Sequence, residues 1–179
     1  MKNNRGKLGV STDLGRRYSE TERDMTTALC LACPDLIGVE SPKGTRAGEC
    51  APMDGMLMGC NTDEMTTEIK YIYEAKYRNF NAATLFGKFG GRALIGSVKL
   101  GNCQRASLLF GVPSLLLMRL QDEAFFLVKR LCNSDGQFTF PYNEKWMRTK
   151  QPCLSGYEEA LQTFVPMEGA AEYPLEVKT

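Results

Sequence analysis

Three residues raise the question of chemistry: Asp54 in "PMDG", and Glu74 and Lys76 in "YEAKY" twenty positions later. Strand side chains alternate with a period of two. Within the β-branched and aromatic run "TEIKYIYEAKY", Glu74 and Lys76 therefore share one face, while Ala75 and Tyr77 point the other way. "NTDEM" reads as a turn, and a hairpin centred near Glu64 pairs positions whose numbers sum to 128, which sets Asp54 across from Glu74. The Cβ atoms would then lie about 4.5–5.5 Å apart, unless a bulge alters the register. Asp54 shares its face with Met56 and Met58, and Glu74 with Ile72, so two acids meet on an otherwise apolar surface. That is costly unless a cation compensates them. Asp54 and Glu74 are thus the candidate metal ligands, for Mg2+ with Mn2+ able to substitute, since magnesium takes one or two carboxylates and keeps several waters. Such a site suits phosphodiester hydrolysis without a covalent nucleophile. Adjacent carboxylates favour the charged form of Lys76, which points to positioning water or phosphate rather than acting as a base.

The elements that must place these residues follow from local pattern. A helix is expected from Ser19, where Ser19 and Glu22 match a capping box, or from just after Ser11 or Thr12. Met25, Ala28, Leu29 and Ala32 form its stripe, and Pro34 ends it. "DLIGVES" reads as a strand, "SPKGTRAGE" as a loop, and "CAPMDGMLMGC" as the first arm of the hairpin. A short helix is expected in the glycine-punctuated "NFNAATLFGKFGGRALIG", then a longer one over residues 92–110 with Gly111 as its C-cap. "SLLLMRL" and "AFFLVKRL" are apolar enough to be central strands. After Cys132 the sequence reads as turns, a helical "GYEEALQTF" and a polar tail. The order helix, strand, hairpin, helix, two strands describes an α/β (α+β) sandwich around a small mixed sheet. At 179 residues, 1–179 form a single domain, with a core over 12–130 and a C-terminal extension over 131–179.

The net charge of +1 is segregated: residues 20–68 hold ten acids against three bases, and residues 69–105 hold seven bases against Glu74 alone. Lys70, Lys76, Arg78, Lys88, Arg92, Lys99 and Arg105 make up that basic block, which flanks the proposed acids and would meet nucleic-acid phosphates. Phe86 and Phe89 could stack on bases, or one of them could simply plug the core. Histidine is absent, which excludes imidazole bases and histidine zinc sites. Seven cysteines, no secretion-like N-terminus and no apolar run near the roughly 20 residues a spanning helix needs suggest a cytoplasmic chain, not membrane-bound, with reduced thiols.

"PMDG" followed by "EAK" resembles the PD-(D/E)xK nuclease superfamily, in which small members include junction resolvases and phage nucleases. The resemblance spans residues 12–130 and implies a restriction-endonuclease-like αβββαβ core, a small mixed sheet flanked by helices, and magnesium-dependent endonuclease cleavage of DNA, on branched or otherwise structured substrates in some members. It implies active-site roles for Asp54, Glu74 and Lys76, a helper glutamate on the first helix at Glu22 (or Glu20), and a glutamine on the later helix at Gln104. Met53 separates Pro52 from Asp54, a departure from the family's adjacent pair. Two other readings stand beside it. Cys30 and Cys33, with Cys50 and Cys60, could hold zinc in a non-catalytic nucleic-acid- or protein-binding module. Tyr142 and Trp146 could anchor a homodimer.

Overall fold

Glycine governs how closely the first helix approaches the sheet. In the computed structural model, which describes residues 13–41, 53–61, 66–151 and 156–175, helix α1 (Asp13–Ala32) crosses strand β1 (Leu36–Glu40) at Gly38. A Cβ at Gly38 would stand 2.2 Å from the Thr26 methyl carbon. At the start of strand β2 (Gly55–Asn61), a Cβ on Gly55 would meet the Tyr73 hydroxyl oxygen at 2.3 Å and the Val39 carbonyl oxygen at 2.5 Å. The hydroxyl end of Tyr73 therefore sits against the residue that follows Asp54.

Strand β3 (Thr66–Arg78) is long and central. It pairs antiparallel with β2 on one side and parallel with β5 (Ser114–Leu120) on the other. The full order is β1-β2-β3-β5-β6-β9, where β6 is Phe125–Cys132 and β9 is Ala171–Pro174. A second sheet, β4-β8-β7, joins β4 (Arg92–Gly96), β8 (Gly156–Pro166) and β7 (Glu144–Gln151). Period-two alternation splits the main sheet into two cores. Leu57, Tyr73, Ala75, Leu115, Leu117 and Phe126 pack against Met25, Ala28 and Leu29 of α1. Leu116, Met118, Leu120, Leu127 and Leu131 pack on the opposite face, against Leu100 and Cys103 of α2 (Ser97–Phe110) and against Ala93, Ile95 and Val165 of the second sheet. The chain is thus a mixed α+β protein with few helices. Among the described residues, no helix is long and apolar enough to cross a membrane.

Several local expectations are corrected. Residues 92–96 are strand, with Ala93 and Ile95 buried, and the helix starts only at Ser97, after Gly96. The short helix expected before them is present, as a π-helical turn at Thr84–Lys88. "GYEEALQTF" lies within β8: its helix-forming residues are overridden by pairing with both β4 and β7. The polar tail contributes β9, which pairs with β6. The first helix takes its earlier start, at Asp13. The "NTDEM" turn and most of "SPKGTRAGE" lie outside the described residues.

Candidate active site

The hairpin register is the first requirement for the site. Gly55 pairs with Tyr73, Met56 with Ile72 and Leu57 with Tyr71, all summing to 128 as expected. Between Leu57 and Met58 the register shifts, so that Met58 pairs with Ile69 and Lys70 is the extra residue of a bulge. The pairs on the turn side sum to 127, so the bulge itself produces the 128 register next to Asp54, which lies just before the paired residues of β2. The Asp54 amide donates to the Tyr73 carbonyl at 3.1 Å. Its side chain then continues the ladder where β2 has not yet begun: Asp54 Oδ2 accepts the Ala75 N–H at 2.8 Å. A backbone amide thereby fixes the carboxylate.

Glu74 lies one residue before that amide, on the opposite face of β3 from Tyr73 and Ala75. Flanked by β2 and β5 and covered by α2, its side chain is fully buried. Lys76, two residues on, donates to Glu74 Oε1. The remaining contacts come from a residue expected only on the nucleic-acid surface. Lys99, in the first turn of α2, places its Nζ 3.1 Å from Glu74 Oε2 and 3.5 Å from Asp54 Oδ1. Two carboxylates and two ammonium groups thus converge, and all four carboxylate oxygens are engaged.

The electrostatics follow from burial and partners. Burial pushes the Asp54 carboxyl up, but Lys76, Lys99 and the Ala75 amide together outweigh it, and its pKa falls below the ordinary value. Glu74 is shifted the other way: burial dominates, Asp54 adds to it, and the two lysines offset only part, so its carboxyl is held above the usual range. The two groups are close enough for a side-chain hydrogen bond between them. Burial would lower the Lys99 ammonium, yet Glu74 and Asp54 outweigh it and hold its pKa up. One helical turn after Lys99, burial and then Glu74 raise the Cys103 thiol. Two carboxylates whose affinities for a proton are driven apart are a frequent signature of a functional site.

The other expected residues are more dispersed. Glu22 is half-buried on the α1 side, where its charge, with those of Glu40 and Asp54, adds to the burial that pushes the Tyr73 hydroxyl up to about 12. Gln104 follows Lys99 by five positions, about 140° around the helix. Its Cγ and carbonyl lie beside Gly136, so the helix turns Lys99, not Gln104, toward the acids. Lys70 pairs with Glu68 over Gly59, roughly 13 Å along the strand from Glu74. Arg78 donates to the Leu94 carbonyl and ties β3 to the second sheet. Lys88, Arg92 and Arg105 are exposed, with Arg105 bonded to Asn102 at 2.6 Å. Phe86 and Phe89 are 47% and 42% exposed, too open for either to be a core plug; Phe89 meets Phe80 edge-on and Lys88 lies over its ring. Trp146 stands 70% exposed on β7.

The donor chemistry fits a hard cation. Two carboxylates, one fixed by an amide, suit magnesium, which takes few protein ligands and retains water. Among the described residues no group of three or more His, Cys, Asp or Glu converges as a ready metal cage. That includes Cys30, Cys33 and Cys60, which are free thiols; Cys50 lies outside the described residues. The role of Lys99 was not legible locally. With the helix read from residue 92, Lys99 falls in its interior; only the observed start at Ser97 puts it in the first turn, where a cation opposes the helix dipole and calls for an acidic partner. No protein-family model, curated protein or solved structure matches the chain.

Proposed function

We propose that the chain is a magnesium-dependent endonuclease that hydrolyses DNA phosphodiester bonds, built on a restriction-endonuclease-like core. The observation that carries this reading is the convergence of Asp54 and Glu74, bridged by the Lys99 ammonium, with Lys76 alongside. The chain path supports it: one helix, three antiparallel strands, then a second helix and a strand added parallel to β3 reproduce the αβββαβ order, with the 84–96 segment inserted before the second helix.

Asp54 and Glu74 would hold the cation, which when bound supplies charge neutralisation at the phosphate and lowers the pKa of a water. The Ala75 amide keeps Asp54 in place. Lys76, anchored on Glu74 but a quarter exposed, reaches solvent and would meet the phosphate or the attacking water as a compact positive charge. Hydrolysis adds water across one P–O bond, so no side chain need become covalently attached. Lys88 and Arg92, with the exposed Phe86 and Phe89 in the same segment, form a basic and aromatic surface suited to DNA backbone contact and base stacking.

Purified protein incubated with branched, duplex and single-stranded DNA tests the proposal. Cleavage is expected in magnesium, abolished by EDTA, and lost in D54A, E74A and K76A. Cleavage retained in all three variants would remove it. One observation favours a second reading, a non-catalytic binding module: the four charges already cancel without an added ion. That module would bind DNA or protein equally well in EDTA and cut nothing.

A further inference from the structure

The arrangement around Lys99 bears on how a cation enters this site. Asp54 Oδ2 is taken by the Ala75 amide and Glu74 Oε1 by Lys76, leaving Asp54 Oδ1 and Glu74 Oε2 as the pair that face a common ligand. The Lys99 ammonium faces both, at 3.5 and 3.1 Å. We infer that Lys99 is the site's resident counter-ion, seated where a divalent cation would bridge Asp54 and Glu74, and that such a cation enters only by displacing it. This rests on the metal-binding reading above and assigns Lys99 a role within it.

Three observations support displacement over co-occupancy. The two carboxylates are already balanced by two ammonium groups, so a dication added beside Lys99 would bring the cluster to +2, whereas displacing Lys99 holds it at +1. Lys99 stands in the first turn of α2, where the helix dipole opposes a cation, so the carboxylates are what hold it there. Its side chain is 26% exposed on a flexible four-carbon stem, which gives it a path to solvent without moving the helix. The protein thereby avoids the one negative charge that Lys76 alone would leave uncompensated in the metal-free state. In exchange, metal affinity is weakened by the competition, and the freed ammonium becomes available to an incoming phosphate.

Mn2+ binding to the full chain, read by loss of the free-ion electron paramagnetic resonance signal, tests the inference. K99Q should bind about tenfold tighter than wild type, while K99R, which keeps the competing cation, should bind within about twofold of it. The metal-free K99Q protein should melt below wild type and gain more from added Mg2+ than wild type does. Equal or weaker Mn2+ binding by K99Q, with binding by wild type still lost in D54N, would overturn the role of Lys99 and leave the metal site standing. No Mn2+ binding by folded wild type would overturn both. Should K99Q not fold, reductive methylation of wild type supplies the answer. Labelling of Lys99, resolved by mass spectrometry, should rise when Mg2+ is added, and an unchanged rate would overturn the inference.

Discussion

Strand β3 carries the pattern Glu-x-Lys twice, as Glu68–Lys70 and as Glu74–Lys76, and the structure treats the two copies in opposite ways. Both make an ion pair within the strand. The first lies near the hairpin turn, with side chains 70% and 47% exposed, and Lys70 is the odd residue of a bulge. The second lies between β2 and β5 under α2, with Glu74 at 0% and Lys76 at 24%. Water screens the first pair, and exposed pairs of this kind are worth about 0–1 kcal/mol. The second is removed from water, and its carboxylate is compensated from two directions: Lys76 along the strand and Lys99 from the helix. Identical residue types at identical spacing acquire chemical potential only where the fold desolvates them and brings a second acid across.

That contrast can be broken first at the level of activity. E74Q and D54N should lower magnesium-dependent DNA cleavage by roughly 10²–10³-fold, the scale of losing a main electrostatic group in a site. E68Q should stay within about twofold of wild type in the same assay. Equal losses in E68Q and E74Q would erase the distinction between the two copies.

A smaller effect is expected from the packing that holds Asp54. In G55A the added methyl meets the Tyr73 hydroxyl and the Val39 carbonyl oxygen, so the strand must shift. Overpacking of this kind costs about 1–3 kcal/mol, measurable by urea unfolding, and should carry a loss of cleavage with it. Alanine at Gly87, where nothing lies within 4 Å of the new methyl, should leave stability nearly unchanged.

The two copies should also differ in how stability depends on pH. The Glu74 pKa is raised above its ordinary 4.5, so the folded state holds a proton that the unfolded chain releases between 4.5 and that raised value. Stability contributed by this group therefore falls as pH rises through the window. Asp54 is shifted down from 3.8, so its contribution is present above 3.8 and is lost as pH falls through its lowered value. Melting curves across this range should show the falling limb in wild type and in E68Q, but not in E74Q. The smallest effect belongs to the exposed pair itself: K70A should change stability by at most about 1 kcal/mol.

Much of this site was legible because strand parity is rigid. Once 66–78 reads as a strand, Glu74 and Lys76 must share a face, and hairpin pairing brings Asp54 near. The bulge at Lys70 left no signal in the residue types, since Lys, Tyr and Ile all suit a strand. Lys99 lies 25 residues beyond Glu74 and reaches it only because α2 docks on β3, a tertiary event that no local pattern encodes. Its charge placed it with the surface bases instead. The resemblance to a nuclease family pointed to Gln104, whereas the turn of the helix selects Lys99. Residues 92–96 and 156–164 were misread for a shared reason. Their helix-compatible residues are recruited as partners in one sheet, and strand pairing decides their conformation.

A manganese-soaked crystal provides the most direct measurement. Its anomalous-difference map should show one peak bound by both Asp54 and Glu74, at about 2.1 Å from an oxygen of each, with the Lys99 ammonium moved away. A map with no peak between those two carboxylates, or with its peak at Cys30 and Cys33 instead, would contradict the account.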